Sequence, residues 1–257
     1  MSGTVFSGSA VAYEQFMGRY SRQLATPFAD FAGLGSGMRV LDVGAGTGAL
    51  TEELIKRVGV GLVAAAEPSP DYATALRERY PEVDVRLAAA EELPWDADTF
   101  DVTLAQLVVS FMNDAHQGAR ELARVLRPGG TAATCMWELD GMDAANTMRE
   151  VRRQLQPGEA PPIATAFRDE QSLRELFEGA GLGEVETTII EVSVTYASVD
   201  ELWDPAIQVG GPGGPAVEQF SAEQLARARS LFEAVLGSPT KPFTLGGRAA
   251  AVRGVRP

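Results

Sequence analysis

Apolar and polar positions along the chain alternate between two periods. Short apolar runs recur at about 38–43, 62–66, 83–88, 100–109 with its exit loop, and 131–137, the mark of strands buried on both faces. Between them, at about 47–58, 70–80 and 114–126, the apolar spacing is helical. Arg127-Pro128-Gly129-Gly130 supplies a stop signal for the last of these helices. This strand–helix rhythm predicts an α/β fold with a doubly wound, mostly parallel sheet.

The rhythm changes after about 138. A helix is expected before Pro157, Pro161 and Pro162, and another at about 169–180, closed by Gly181. Glu184 to Tyr196 and Thr244 to Val255 read as strands, which brings the sheet to seven. Between them, about 197–240 reads as a helical cap insertion: a helix, the Gly210–Pro215 tract, and a helix at about 221–236. At the other end, Tyr13 to Leu24 has helical spacing before the break at Gly33 to Gly37. The expected organisation is one domain over 1–257. It has an N-terminal helical lid (1–37), a cofactor-binding core (38–137), and later helices and strands (138–196 and 241–257) around the 197–240 cap.

Composition narrows the partners. The 22 Lys and Arg against 35 Asp and Glu leave a net charge of −13. Such a chain is repelled by phosphate backbones and anionic membrane surfaces, so neither nucleic acid nor membrane is an expected partner. No apolar run approaches the ~18 residues of a membrane span, and no signal-peptide pattern opens the sequence. The single cysteine, Cys135, excludes an internal disulfide and a Cys-rich metal site, and fits a cytoplasmic setting. No metal is expected.

The chemistry concentrates in Val40-Leu41-Asp42-Val43-Gly44-Ala45-Gly46-Thr47-Gly48, followed by Glu67, 19 residues after Gly48. Glycines let backbone N–H groups approach a ligand, and a helix N-terminus follows. Gly44, Gly46 and Ala49 also satisfy a loose dinucleotide spacing. Asp42 discriminates. A carboxylate two residues before the first glycine opposes a pyrophosphate and favours a cationic ligand. S-adenosylmethionine carries an ammonium and a sulfonium and no phosphate. Glu67, at the end of the second strand, is placed to accept from two ribose hydroxyls.

With these residues in view, the stretch 40–48 resembles motif I of class I S-adenosylmethionine-dependent methyltransferases. Ala66-Glu67-Pro68-Ser69 resembles their second acidic motif. Ala90-Glu91-Glu92-Leu93-Pro94-Trp95 resembles their adenine-contacting loop, and Leu122 to Gly130 the helix-to-strand junction of the small-molecule, quinone-biosynthesis-like branch. The resemblance implies a Rossmann-like methyltransferase fold. It also implies methyl transfer, by in-line displacement, to an O, N or C atom of a small-molecule acceptor, leaving S-adenosylhomocysteine. Carried over, the roles give Asp42, Gly44, Ala45, Gly46 and Gly48 to the methionine end, Glu67 to the ribose, and Pro68, Ala90 and Glu91 to the adenine. Gln106 falls near the sulfur, and Tyr13 and Arg19 close over the amino-acid part. Ala89 stands where many relatives have an aspartate.

Phe16, Tyr20, Phe111, Met112, Trp137, Met142 and Trp203 are the candidate lining of an apolar or aromatic acceptor pocket. His116, the only histidine, falls in the first turn of a helix and reads as a surface residue. No catalytic residue is assigned. The residues also admit a non-methylating use of the same pocket (cyclisation, isomerisation or binding), an NAD(P)-dependent oxidoreductase, or an interaction module.

Overall fold

The computed structural model describes residues 14–155, 166–209 and 220–257. Tyr13, Pro157, Pro161, Pro162 and the Gly210–Pro215 tract lie outside them.

A π-helical turn, Glu14–Gly18, leads into α1 (Arg19–Phe31). β1 (Val40–Val43), α2 (Ala49–Val58), β2 (Val63–Glu67), α3 (Pro70–Arg79) and β3 (Asp84–Leu87) follow in strict alternation. β4 (Phe100–Gln106), α4 (Ala115–Val125) and β5 (Leu126–Met142) complete the first half. The second half holds α5 (Asp143–Leu155), α6 (Glu170–Gly179), β6 (Gly183–Tyr196), α7 (Val199–Val209), α8 (Ala222–Val235) and β7 (Phe243–Val255). Local signals set several helix starts. Asp114 accepts from the Gln117 N–H before α4, Asp169 from Ser172 before α6, and Ser221 with Gln224 forms a capping box before α8.

The seven strands form one sheet in the order β3-β2-β1-β4-β5-β7-β6. β1 pairs with β2 and β4, β2 with β3 and β4 with β5, all parallel. β7 runs the other way. Along β7, Arg248 bonds Glu138 while the Arg256 carbonyl accepts from Gly129 N–H, so β7 meets β5 in descending order. Against β6 the order also descends: Thr244 to Thr195, Arg248 to Glu191 and Arg253 to Glu186. The expected seven-stranded, doubly wound sheet is therefore present, with one reversed strand.

β5 starts five residues earlier than the apolar run at 131–137 suggests. The Arg127–Gly130 stretch, read as a stop, stays in the ladder because Gly129 N–H donates to Arg256 O (2.8 Å) and Arg256 N–H to Gly130 O (2.9 Å).

The chain divides into two compact units. Ser21–Leu139, Thr165–Glu191 and Arg248–Pro257 form one. Met1–Tyr20, Asp140–Ala164 and Val192–Gly247 form the other. In the first unit every residue of β1 and β2 is buried, as a strand covered on both faces requires. Leu41, Val43, Ala64 and Ala66 share one face with Ala119, Leu122 and Val125 of α4 and with Leu173 and Phe177 of α6. The two-residue period turns Asp42 to the opposite face, against α2. In the second unit α5 packs on α8. The Trp203 ring lies 5.0 Å from Phe232, and Arg229 stacks over Trp203 while pairing with Asp200 and Glu233. Among the described residues no helix is long and apolar enough to cross a membrane.

Candidate cofactor site

The site is built at the carboxyl ends of β1, β2 and β4, where the strand order reverses around β1 and doubly wound sheets bind ligands. The chain leaves β1 through Gly44, Gly46 and Gly48, all at positive φ (71°, 55° and 89°). Two of these are closed to any side chain by their neighbours. A Cβ on Gly44 would lie 2.6 Å from a Val108 methyl, and one on Gly48 2.7 Å from Leu76 Cδ1. Gly46 differs: the nearest atom to such a Cβ is the Gly44 carbonyl at 4.0 Å. Its backbone faces open space. The turn is anchored to β2 by the Gly44 and Ala45 N–H groups, both donating to Ala66 O (2.8 and 3.2 Å). Gly48, the N-cap of α2, offers no side-chain cap to the first-turn amides.

Two carboxylates flank this turn. Asp42 is 1% exposed and Glu67 5%. The Thr51 hydroxyl, one turn into α2, donates to Asp42 Oδ2 at 2.6 Å. Burial pushes the Asp42 carboxyl up to about 7, partly offset by the Thr51 hydrogen bond, with the Glu67 charge adding to the rise. Glu67 Oε2 accepts from Gly46 N–H (2.8 Å) and Oε1 from Ser69 N–H (2.9 Å). Burial raises the Glu67 carboxyl too, against the pull of those two amides. Among the described residues, no lysine or arginine is a partner of either carboxylate. Pro68 is exposed beside Glu67, and Ala90 is buried.

The remaining expected residues divide. Gln106, the last residue of β4, donates from Nε2 to the Ser21 carbonyl of α1 (3.0 Å). Glu91 is engaged elsewhere: its Oε1 accepts from the N–H groups of Asn113 (2.6 Å) and Asp114 (3.1 Å). Arg19 lies in the helical unit, donating to Glu201 (2.8 Å) and to the Thr195 carbonyl (2.7 Å) and stacking over Tyr196. Phe16, Tyr20, Met142 and Trp203 are buried in that same unit. Phe111, Met112 and Trp137 belong to the sheet unit; Phe111 is 37% exposed and Trp137 buried. Met112 sulfur lies against Gly118, where a Cβ would sit 2.5 Å from it. His116 is exposed, its ring edge-on to Phe167.

Sequence reasoning missed Thr51 and Ser69. Thr51 left a faint signal: it falls on the buried face of α2 with Leu50, Leu54 and Val58, a polar residue in an apolar stripe. Nothing local marks Ser69 as a clamp on Glu67, since its donor is a backbone amide.

Strand order, glycine turn and paired acids together define the class I methyltransferase fold. Residues 41–134 match the family model described as methyltransferase domain. An uncharacterized methyltransferase of Mycobacterium bovis is 42% identical over 92 residues, 36% of this chain and 37% of that protein. The demethylmenaquinone methyltransferase of Chlorobaculum tepidum is 36% identical over 94 residues, 37% of this chain and 38% of that one. The matches thus span little more than a third of these relatives' own length. Among solved structures, Haemonchus contortus phosphoethanolamine N-methyltransferase 2, in complex with phosphomonomethylethanolamine and S-adenosylhomocysteine, superposes with a TM-score of 0.58. That match has 15% identity and covers 96% of this chain and 57% of that one.

Proposed function

We propose that the protein transfers a methyl group from S-adenosylmethionine to an O, N or C atom of a small, apolar or aromatic acceptor. One observation carries the reading: two buried carboxylates border the glycine turn, and among the described residues no cationic side chain partners them. An uncompensated pair of buried acids disfavours a pyrophosphate and favours a ligand that brings positive charge. That weighs against a nicotinamide dinucleotide.

The residues fit such a ligand. Bound here, S-adenosylmethionine supplies an electrophilic methyl group on a cationic sulfur. Asp42, poised near neutrality, ionises fully beside a cation. The Glu67 oxygens, each held by one backbone amide, retain lone pairs for ribose hydroxyls. Gly46 leaves room for close approach of the ligand to the backbone. Holding two reactants in line supplies most of the acceleration such a transfer needs, on the order of 7–11 kcal/mol. A quinone-ring acceptor is suggested by the demethylmenaquinone relative. The acidity of the chain argues against a nucleic-acid acceptor, and the single thiol suits a cytoplasmic setting.

Thermal unfolding with S-adenosylmethionine, S-adenosylhomocysteine and NADH tests the reading. A ligand at about 100 times its Kd adds ~2.7 kcal/mol. For a chain of this size that raises Tm by roughly 5–10 °C. A rise with the two sulfur ligands, lost in Asp42→Asn, supports the proposal; a rise with NADH alone overturns it.

A further inference from the structure

Gln106 stands at the exit of β4 with its side-chain amide fixed in one orientation. Nε2 donates to the Ser21 carbonyl at 3.0 Å. A carbonyl can only accept, so it must face the amide nitrogen, and the two ends of the amide cannot exchange. The other end, Oε1, is buried and receives no hydrogen bond from any of the described residues. A buried acceptor left unpaired is destabilising, because it has lost its hydrogen bond to water with nothing in exchange. The backbone beyond it is also strained. Leu107 is held at φ 63°, a region bulky side chains avoid, by its N–H bond to Cys135 O (2.9 Å). That bend carries Val108 onto Gly44, so the exit of β4 abuts the glycine turn. A strained turn and an orphaned acceptor thus coincide at the ligand-binding edge of the sheet.

We propose that Gln106 Oε1 selects the methyl acceptor: it accepts a hydrogen bond from an O–H or N–H borne by the acceptor. This deepens the methyltransferase reading and rests on it. The carboxylates Asp42 and Glu67 already answer the positive charge and the hydroxyls of the cofactor, which leaves the neutral oxygen for the second substrate. An amide oxygen is too weak a base to take a proton. It therefore orients the O–H or N–H of a phenol, alcohol or amine without deprotonating it: the nucleophile's lone pair forms the new bond to the methyl carbon as the carbon–sulfur bond breaks, S-adenosylhomocysteine leaves, and the resulting oxonium or ammonium releases its proton to water. It gives no such hold on an ether or a bare aromatic carbon. A site built to pair a substrate donor also rejects an analogue that lacks it, because the buried acceptor is then left empty-handed. Gln106 is in this sense a positioning residue.

The test uses the whole chain with ¹³C-labelled glutamine and follows the Gln106 Cδ resonance, assigned by its loss in Gln106→Met. Calorimetry with S-adenosylhomocysteine comes first, and absence of binding would defeat the methyltransferase reading itself. In the S-adenosylhomocysteine complex, phenol, benzyl alcohol and aniline are then added, with anisole as the matched probe lacking a donor. Downfield movement of Cδ with at least one donor probe, and none with anisole, is the expected result. Movement with S-adenosylhomocysteine alone, absent with 5′-methylthioadenosine, would assign the oxygen to the cofactor ammonium and overturn the acceptor assignment. A resonance unmoved by every probe would overturn it as well, with the cofactor reading intact.

Discussion

Thr51 on α2 donates to Oδ2 of Asp42 on β1 at 2.6 Å, and this is the side-chain hydrogen bond on which the buried carboxylate depends. Thr51→Val keeps the shape and removes the donor. A loss of about 1–3 kcal/mol follows from removing the hydroxyl donor to a buried carboxylate, which keeps the bond from the backbone amide of residue 51. The loss is larger at pH 8, where Asp42 is ionised, than at pH 5, where it is neutral. Urea unfolding at the two pH values measures it.

The same carboxyl gives stability a pH dependence of definite sign. Its folded value, about 7, lies above the ~3.9 of an unfolded aspartate. Between those values the folded chain holds a proton that the unfolded chain has released. Stability from this group is therefore greatest below about pH 4, falls as pH rises to about 7, and then levels, at up to ~1.4 kcal/mol per unit. Glu67, raised by the same burial, adds a slope of the same sign. Unfolding midpoints of wild type and Asp42→Asn between pH 5 and 8 should diverge in favour of the variant as pH rises. A constant gap would rule out a titrating Asp42.

Two glycines of the turn should fail differently. Gly44→Ala drives a methyl to 2.6 Å from Val108 at a φ of 71°, and overpacking of this kind costs about 1–3 kcal/mol. Gly46→Ala meets open space and bears only the left-handed penalty of roughly 1–2 kcal/mol. Its methyl enters the volume left for the ligand. The expected outcome is a folded Gly46→Ala protein whose melting no longer responds to S-adenosylhomocysteine, beside a Gly44→Ala protein that melts lower with no ligand present.

Glu91 binds the backbone ahead of α4 through Asn113 and Asp114. Glu91→Ala frees both amides, and hydrogen exchange at Asn113 and Asp114 should accelerate. Unchanged protection at both positions would show that the carboxylate does not hold this loop.

Cys135 is buried within β5, and burial pushes its thiol well above the usual range. Only the thiolate reacts. Alkylation by iodoacetamide at pH 8 should be negligible in native protein and complete in urea.

Much of the sheet was legible because its signals are local. The apolar runs at Val40–Val43 and Val63–Glu67 declare strands buried on both faces, and Gly44, Gly46 and Gly48 declare a turn at positive φ. Asp42 and Glu67 were legible for the same reason: one is the penultimate residue of β1 and the other the last of β2, and the strand period fixes where each side chain points. Pro128 and Gly129 misled, because a stop signal near 127 says nothing of Arg256, whose peptide groups hold that stretch in the ladder.

The sequence by itself thus determined the element types, the glycine turn and the acids beside it, since backbone conformation and side-chain period are properties of neighbouring residues. The tertiary structure alone decided what those groups are bonded to. Thr51 reaches Asp42, Ser21 fixes Gln106, and Asn113 occupies Glu91 across separations of 9, 85 and 22 residues. Such pairs exist only once the faces of distant elements meet, and the burial that raises Asp42 is likewise created only when α2 closes over β1.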